Sequence, residues 1–273
     1  PEEISAHASR FPYAVHETPV IDFGSTPNTL DSLTYSATGV QTGNGETPYS
    51  TDGLVAAWNL NETSGTTAYN TGGGQSCAGT PSSCNGTLTT FASTSSQDQA
   101  AGTGWTANNR RWGAGALMFD GSNDYVSVPA TAINNLSQGT FEAWIYSAGN
   151  NGGMRLFEKA NPGIYDYFAI RGPDLNGKVQ VVIANTVPIN TNNSISITQN
   201  QWHHVALSFD GSYVKLYVDG ILSDSVASTG TVGNYTGTNI TIGAYPQPNY
   251  YWKGTIDSTR IYSRALTAAE IQS

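Results

Sequence analysis

Four aromatic rings stand within eight residues in Tyr245-Pro-Gln-Pro-Asn-Tyr250-Tyr251-Trp252. Flat rings of this kind stack on the C–H faces of sugars, and nearby amides can bond sugar hydroxyls. Tyr165-Asp166-Tyr167 is a smaller version of the same chemistry. The rings could equally cap one end of a folded layer or anchor a neighbouring segment, because Tyr and Trp pair an apolar body with a polar tip. A second candidate is the acidic turn Phe119-Asp120-Gly-Ser-Asn-Asp124-Tyr-Val. Two carboxylates suit a hard cation such as Ca²⁺, which takes several oxygens and prefers net negative charge. Ordinary Asp-Gly turn chemistry accounts for the same residues. His203 and His204 are adjacent, so on a strand they point to opposite faces and cannot share one ion; a structural place beside Trp202 is expected for them. No Gly-x-Ser-x-Gly nucleophile turn occurs in the chain.

These residues lie in or between runs that read as strands. Val205-Ala-Leu-Ser-Phe209 and Tyr213-Val-Lys-Leu-Tyr-Val218 alternate apolar and polar with period two, which marks half-buried strands. Asp210-Gly211 and Asp219-Gly220 supply positive φ at little steric cost, so the segment predicts an antiparallel meander continuing into Ile221–Ser225. Similar short runs recur from Gly53 onward, at Leu54–Leu60, Gly86–Leu88, Ala116–Phe119, Tyr125–Val128, Thr140–Tyr146, Arg155–Phe157, Tyr167–Ile170, Val179–Ile183, Ile240–Gly243 and Ile256–Tyr262. Many short strands with regular turn signals predict an all-β sandwich or barrel. Thr267-Ala-Ala-Glu270 has the form of a capping box and predicts one short C-terminal helix. Residues 1–51 carry five prolines and no long periodic segment. They read as an extended arm, with Tyr13–Val15 and Pro19–Phe23 as strand-like pieces, ahead of a domain over 52–273.

Composition narrows the function. Charged residues make up 11% of the chain, against about 25% in average soluble domains. The formal net charge of −9 argues against nucleic acid and against anionic membrane surfaces. No apolar run is long enough to span a bilayer, so membrane insertion is not expected. The first residue is Pro1 and not Met, which suggests a processed chain. Cys77 and Cys84, in CAGTPSSC, sit in a small loop where a disulfide is sterically easy; a metal site would need more ligands nearby. Such a bridge implies an oxidising, extracellular or cell-surface setting. The sequons at Asn61, Asn85, Asn135, Asn192, Asn234 and Asn239 match the number chance gives in a chain so rich in Asn, Ser and Thr.

Five segments, in order, resemble one known family. They are LVAAWNLNETSGTTAYN, RWGAGALMFDGSNDYVSVP, GTFEAWIYS, QWHHVALSFDGSYVKLYVDG and WKGTIDSTRIYSRALTAAEI. Together they are similar to the laminin-G-like, concanavalin A-like lectin/glucanase jelly rolls over about residues 53–273. The resemblance implies a two-sheet antiparallel jelly-roll sandwich, extended at its N-terminus by the arm and closed by the short helix. It also implies an extracellular recognition or adhesion module with a glycan or surface-protein partner. Relatives often hold Ca²⁺ between the loop after the first strand and an Asp near the last strand. The matching positions here are Asn70, where an Asp would be usual, with carbonyls of Gly72–Gly74, and Asp257. Glucanase cousins place acid and nucleophile on one strand as Glu-x-Asp-x-Glu; Glu142 is the only carboxylate in its strand, so catalysis is not expected. An alternative follows from the arm: residues 1–50 could pair with a sheet edge of an identical subunit and build a filament or surface assembly.

Overall fold

A computed structural model describes residues 48–72, 77, 80–100, 102–129, 136–149, 153–161, 165–183, 189–190, 195–227, 239–245 and 250–272. Two antiparallel sheets pack face to face in a jelly-roll sandwich. The first half of the chain contributes β1 (Leu54–Trp58), β2 (Thr67–Ala68), β3 (Gly86–Thr89), β4 (Gly104–Thr106), β5 (Ala116–Asp120), β6 (Tyr125–Val128) and β7 (Gly139–Ser147). Next come β8 (Arg155–Asn161), β9 (Tyr165–Arg171), β10 (Gln180–Ile183), β11 (Ile189–Asn190), β12 (Trp202–Phe209) and β13 (Tyr213–Val218). The last elements are β14 (Ile221–Ala227), β15 (Ile240–Ile242), β16 (Lys253–Tyr262) and the helix α1 (Ala268–Gln272). One sheet runs β14-β13-β12-β7-β16-β5-β4, with β1 also paired to β16; the other runs β11-β10-β9-β8-β15-β6-β3-β2.

The alternation seen in sequence sets the register. Val205 faces Val218, Leu207 faces Leu216 and Phe209 faces Val214, and all six lie in the core between the sheets. The turn Asp219-Gly220 has φ of 51° and 73°, the doubly left-handed geometry whose twist suits a two-residue hairpin. At Asp210-Gly211 the Asp210 carboxylate accepts the amides of Ser212 and Tyr213, at 2.9 and 2.7 Å. Phe141 stacks on Phe168 across the sandwich at 4.1 Å between ring centroids, and Trp58 donates its indole N–H to the Cys84 carbonyl at 2.9 Å. The expected disulfide is present: Cys77 and Cys84 are bonded, with Cα atoms 5.4 Å apart. Closing so small a loop stabilises by about 2.5 kcal/mol in the chain-entropy model. The strands β2, β4 and β11 had no counterpart in the sequence reading, since two or three residues are too few to display a period.

Both ends of the domain meet on the outer face of the first sheet. The capping box forms: the Glu270 amide donates to Thr267 Oγ1 at 3.3 Å, and the Thr267 amide donates to Glu270 Oε2 at 2.8 Å. Leu266 and Ile271 bury against Leu54, Ala57, Ala206, Tyr217 and Tyr262, with Tyr49 packed on the same cluster. The Arg260 guanidinium lies 3.8 Å from the Tyr49 ring centre. Arg264 bonds both Ser50 Oγ and Glu270 Oε2 at 3.0 Å. Tyr49 and Ser50 thus pack on the sandwich; residues 1–47, with Tyr13–Val15 and Pro19–Phe23, lie outside the described residues.

Candidate functional site

The aromatic segment leads from β15 into β16. Trp252 is 0% exposed and belongs to the core, which corrects its assignment as a ligand-stacking ring. The cause is parity: Ile256 points inward on β16, so Gly254 and Trp252 share its side. The Trp252 amide is also tied to the Gly243 carbonyl at 2.7 Å. Tyr250, by contrast, is 42% exposed. It meets Tyr245 edge to face at 6.1 Å between centroids and 84° between planes. Tyr251 is half-buried. Residues 246–249 lie outside the described residues, and Tyr165 and Tyr167 are placed here only as backbone positions of β9.

Beneath the two tyrosines lies a charged cluster that the sequence reading missed. The register between β8 and β9 shifts between Arg155 and Phe157. That irregularity lets Leu156 and Phe157 both enter the core while Arg155 stands opposite Arg171. Phe168 and Ile170 point inward, so Glu158, Ala169 and Arg171 fall on the outer face. The Arg155 guanidinium sits 4.5 Å from the Tyr250 ring centre and 5.7 Å from that of Tyr245. It pairs with Glu158 Oε2 at 2.6 Å and donates to the Gly153 carbonyl at 2.6 Å. The Arg155 amide donates to the Tyr250 carbonyl at 3.1 Å, fixing the loop to the strand. Gly153 has no side chain for a reason: a Cβ there would overlap the Tyr250 ring. Burial pushes the Glu158 carboxyl up to about 7, although Arg155 and Arg171 pull it down. Burial, and then the charge of Arg155, depress the Arg171 guanidinium. In a chain so poor in charge, Arg155, Glu158 and Lys159 within five residues of β8 were the available signal.

The proposed calcium residues occupy different places. Asn70 is buried, and its Oδ1 accepts the amides of Ala57 at 2.8 Å and Gly72 at 3.0 Å. Its Nδ2 donates to the Pro81 carbonyl at 3.1 Å. Asp257 is fully buried; Oδ2 accepts the amides of Arg111 and Trp112 at 2.8 and 3.0 Å, and Oδ1 accepts from Ser258 Oγ at 3.0 Å. Each side chain thus braces main chain, and a cation shared by them would compete with those amides. Gly73 and Gly74 lie outside the described residues. Asp120 stands at the end of β5, where Oδ1 accepts the Ser122 amide at 2.6 Å, and Asp124 Oδ2 accepts the Asp120 amide at 3.0 Å. Burial, followed by the charge of Asp120, raises Asp124 to about 7. Among the described residues no group of three or more His, Cys, Asp or Glu is disposed to hold a metal ion.

The adjacent histidines do face opposite ways. His203 Nδ1 pairs with Asp219 Oδ2 at 2.8 Å, while His204 packs 5.3 Å from the Trp144 ring and lies 3.6 Å from Glu142 Oε2. Glu142 sits on the outer face of the first sheet beside Arg260 at 3.5 Å and the Tyr262 hydroxyl at 3.4 Å. Burial raises Glu142 to about 8 and lowers His204 to about 4, so both are neutral near pH 7. Glu142 is the one carboxylate on β7.

Residues 120–272, more than half of the chain, match the sequence model of the Concanavalin A-like lectin/glucanases superfamily. The chain belongs to that superfamily. No curated protein matches it in sequence. Among solved structures, this lectin/glucanase-superfamily chain is similar to domain 4 of AbnA, a GH43 extracellular arabinanase from Geobacillus stearothermophilus, in complex with arabinotriose. The TM-score is 0.59 at 18% identity, over 80% of this chain and 96% of that domain. The binding domain of Paraclostridial Mosquitocidal Protein 1 gives a TM-score of 0.58 at 15% identity, over 81% of this chain and 51% of that one. Trypanosoma rangeli sialidase gives 0.55 at 15% identity, over 80% of this chain and 32% of the sialidase. At these identities the likeness establishes a shared jelly-roll fold.

Proposed function

We propose that the chain is a non-catalytic, extracellular recognition module that binds carbohydrate on the outer face of β8 and β9, at Tyr245 and Tyr250. One observation carries this reading: an exposed Tyr250 ring is held rigid by Tyr245, by the Arg155 guanidinium and by a main-chain hydrogen bond. An exposed ring that loses little freedom on binding is what sugar stacking requires, with charged donors alongside for hydroxyls. The similar arabinanase domain was solved with arabinotriose, and superfamily membership fits the same reading. The disulfide favours an oxidising compartment. The test is affinity electrophoresis of the full chain through gels containing soluble polysaccharides. Retardation by at least one glycan, lost in Tyr250→Ala, supports the reading; turnover of any polysaccharide, or equal retardation of both proteins, refutes it. Repeating the gels after chelation and again with added Ca²⁺ tests the calcium proposal, since a bound ion would restore retardation or raise Tm.

A second reading, a structural subunit joined by strand addition, is favoured by β14. Among the described residues it pairs on one side with β13, and it exposes Ile221 at 58% and Leu222 at 50%. Open apolar edges invite pairing with another chain. Deleting residues 1–47 would abolish high-mass assemblies under this reading and leave glycan retardation unchanged under the first.

A further inference from the structure

One end of the first sheet's outer face is covered by the C-terminal segment, where Leu266 and Ile271 rest on Ala206, Tyr217 and Tyr262. Beyond them the same face carries aromatic rings, where an antiparallel sheet ordinarily turns polar residues to solvent. Phe141, Ala143 and Ile145 enter the core from β7, so Trp144 and Tyr146 point outward. Val205, Leu207 and Phe209 enter it from β12, so Trp202 and His204 point outward. Cross-strand pairing sets Trp202 opposite Tyr146 and His204 opposite Trp144. The Tyr146 and Trp202 ring centres are 5.8 Å apart. Trp112, from the loop between β4 and β5, meets Trp144 edge to face at 6.0 Å. Trp112, Trp144, Tyr146 and Trp202 are all half-buried. A strip of large rings on an outer face marks a place where another segment or partner packs.

The described chain begins beside this strip. The Tyr49 ring lies on Arg260, and Arg260 is the cross-strand partner of Glu142. Glu142 is one outward position from Trp144 along β7, a step of about 7 Å. Residues 1–47, outside the described residues, precede this point. Within them the stretch from Phe11 to Phe23 gathers Phe11, Tyr13 and Phe23 with Pro12 and Pro19. Proline-containing segments dock on aromatic-lined surfaces because their backbone is already stiff and extended, so little entropy is lost. We propose that residues 11–23 lie across the strip formed by Trp112, Trp144, Tyr146 and Trp202 of the same chain. Residues 24–47 reach about 80 Å when extended, far more than the strip requires. The tether holds the segment at an effective concentration on the order of 1 mM, so a contact with an intrinsic Kd of about 0.1 mM stays closed about ten to one. A second copy matches that only at millimolar protein. The strip belongs to the sheet opposite β8 and β9, so the docked segment leaves the proposed carbohydrate face open.

Tryptophan fluorescence of the full chain tests this directly. Of the six tryptophans, Trp58, Trp105 and Trp252 are at most 2% exposed, so acrylamide quenching reports on Trp112, Trp144 and Trp202. The triple variant Phe11→Ala, Tyr13→Ala, Phe23→Ala should quench as strongly as a chain lacking residues 1–23, with far-ultraviolet circular dichroism unchanged. A synthetic peptide of residues 11–23, at about 1 mM, should return the truncated chain to the parent's protection. Trypsin supplies the reverse test on an unaltered arm. The bond between Arg10 and Phe11 should be cut about tenfold faster in the double variant Tyr146→Ala, Trp202→Ala than in the parent, because cleavage follows the open fraction. Protection of the parent should be equal at about 1 and 100 µM protein, as an intramolecular contact requires. Unchanged quenching in the triple variant, a peptide without effect, or equal trypsin rates overturn the inference. Protection that disappears on dilution also overturns it, and assigns the strip to a second copy of the chain.

Discussion

Replacing Trp252 and Tyr250 separately by alanine separates what holds the fold from what faces a ligand. Trp252 is fully buried in the core, and large aromatic-to-alanine changes in cores cost about 3–5 kcal/mol. For a domain of this size each kcal/mol lowers Tm by about 2–4 °C, so Trp252→Ala should lose about 6–20 °C. Tyr250 is partly exposed and keeps two identifiable contacts: the Arg155 guanidinium at 4.5 Å and the edge of Tyr245 at 6.1 Å. A cation–π contact and an aromatic pair together are worth about 1–2 kcal/mol, or about 2–8 °C. Scanning fluorimetry measures both shifts. Affinity gels run at 10 °C, below both melting transitions, measure binding. Trp252→Ala should retain most of the parent's retardation, and Tyr250→Ala should lose it. A Tyr250→Ala variant that melts as low as Trp252→Ala, or that binds as the parent does, would refute the division between core and ligand face.

Three further outcomes are expected. Asn70→Ala strands the Ala57 and Gly72 amides, which Asn70 now satisfies; unsatisfied buried donors cost about 1–3 kcal/mol each, so the urea midpoint should drop without a change in slope. Gly153→Ala places a methyl group in the Tyr250 ring; the ring must swing away, so glycan retardation should fall while far-ultraviolet circular dichroism stays unchanged. Stability should peak near pH 4. Burial raises Glu142 to about 8 and Asp124, Glu158 and Asp257 to about 7. Each of these binds its proton more tightly folded than unfolded, so stability falls as pH rises from the unfolded values of 3.8 for Asp and 4.5 for Glu to about 8. His204, lowered to about 4 by burial, acts oppositely below 6.5, and Glu270, held near 2 by Arg264, loses its contribution as pH falls below 4.5. A melting temperature that is flat or rising between pH 5 and 8 would contradict this account.

Much of the architecture is legible in the chain because it rests on local chemistry. Period-two alternation in β12 and β13 is enough to say which residues are buried, and Asp219-Gly220 dictates the turn that fixes their register. The capping box at Thr267 and Glu270 and the bond between Cys77 and Cys84 are likewise short-range, so spacing alone reveals them. The same parity, followed back from Ile256, places Trp252 in the core; ring count without parity suggested the surface. Asn70 and Asp257 resemble ligands in sequence because an oxygen that braces an amide and one that holds a cation are the same atom, and only the fold says what lies opposite. The binding face needed the tertiary structure for a different reason. Arg155, Glu158 and Arg171 on one side, and Tyr245 and Tyr250 on the other, are brought together by cross-strand pairing and a register shift in β8. Contacts between residues far apart in sequence leave no periodic trace, so the chain determined its layers and turns, and only their packing decided where charge and aromatic rings meet.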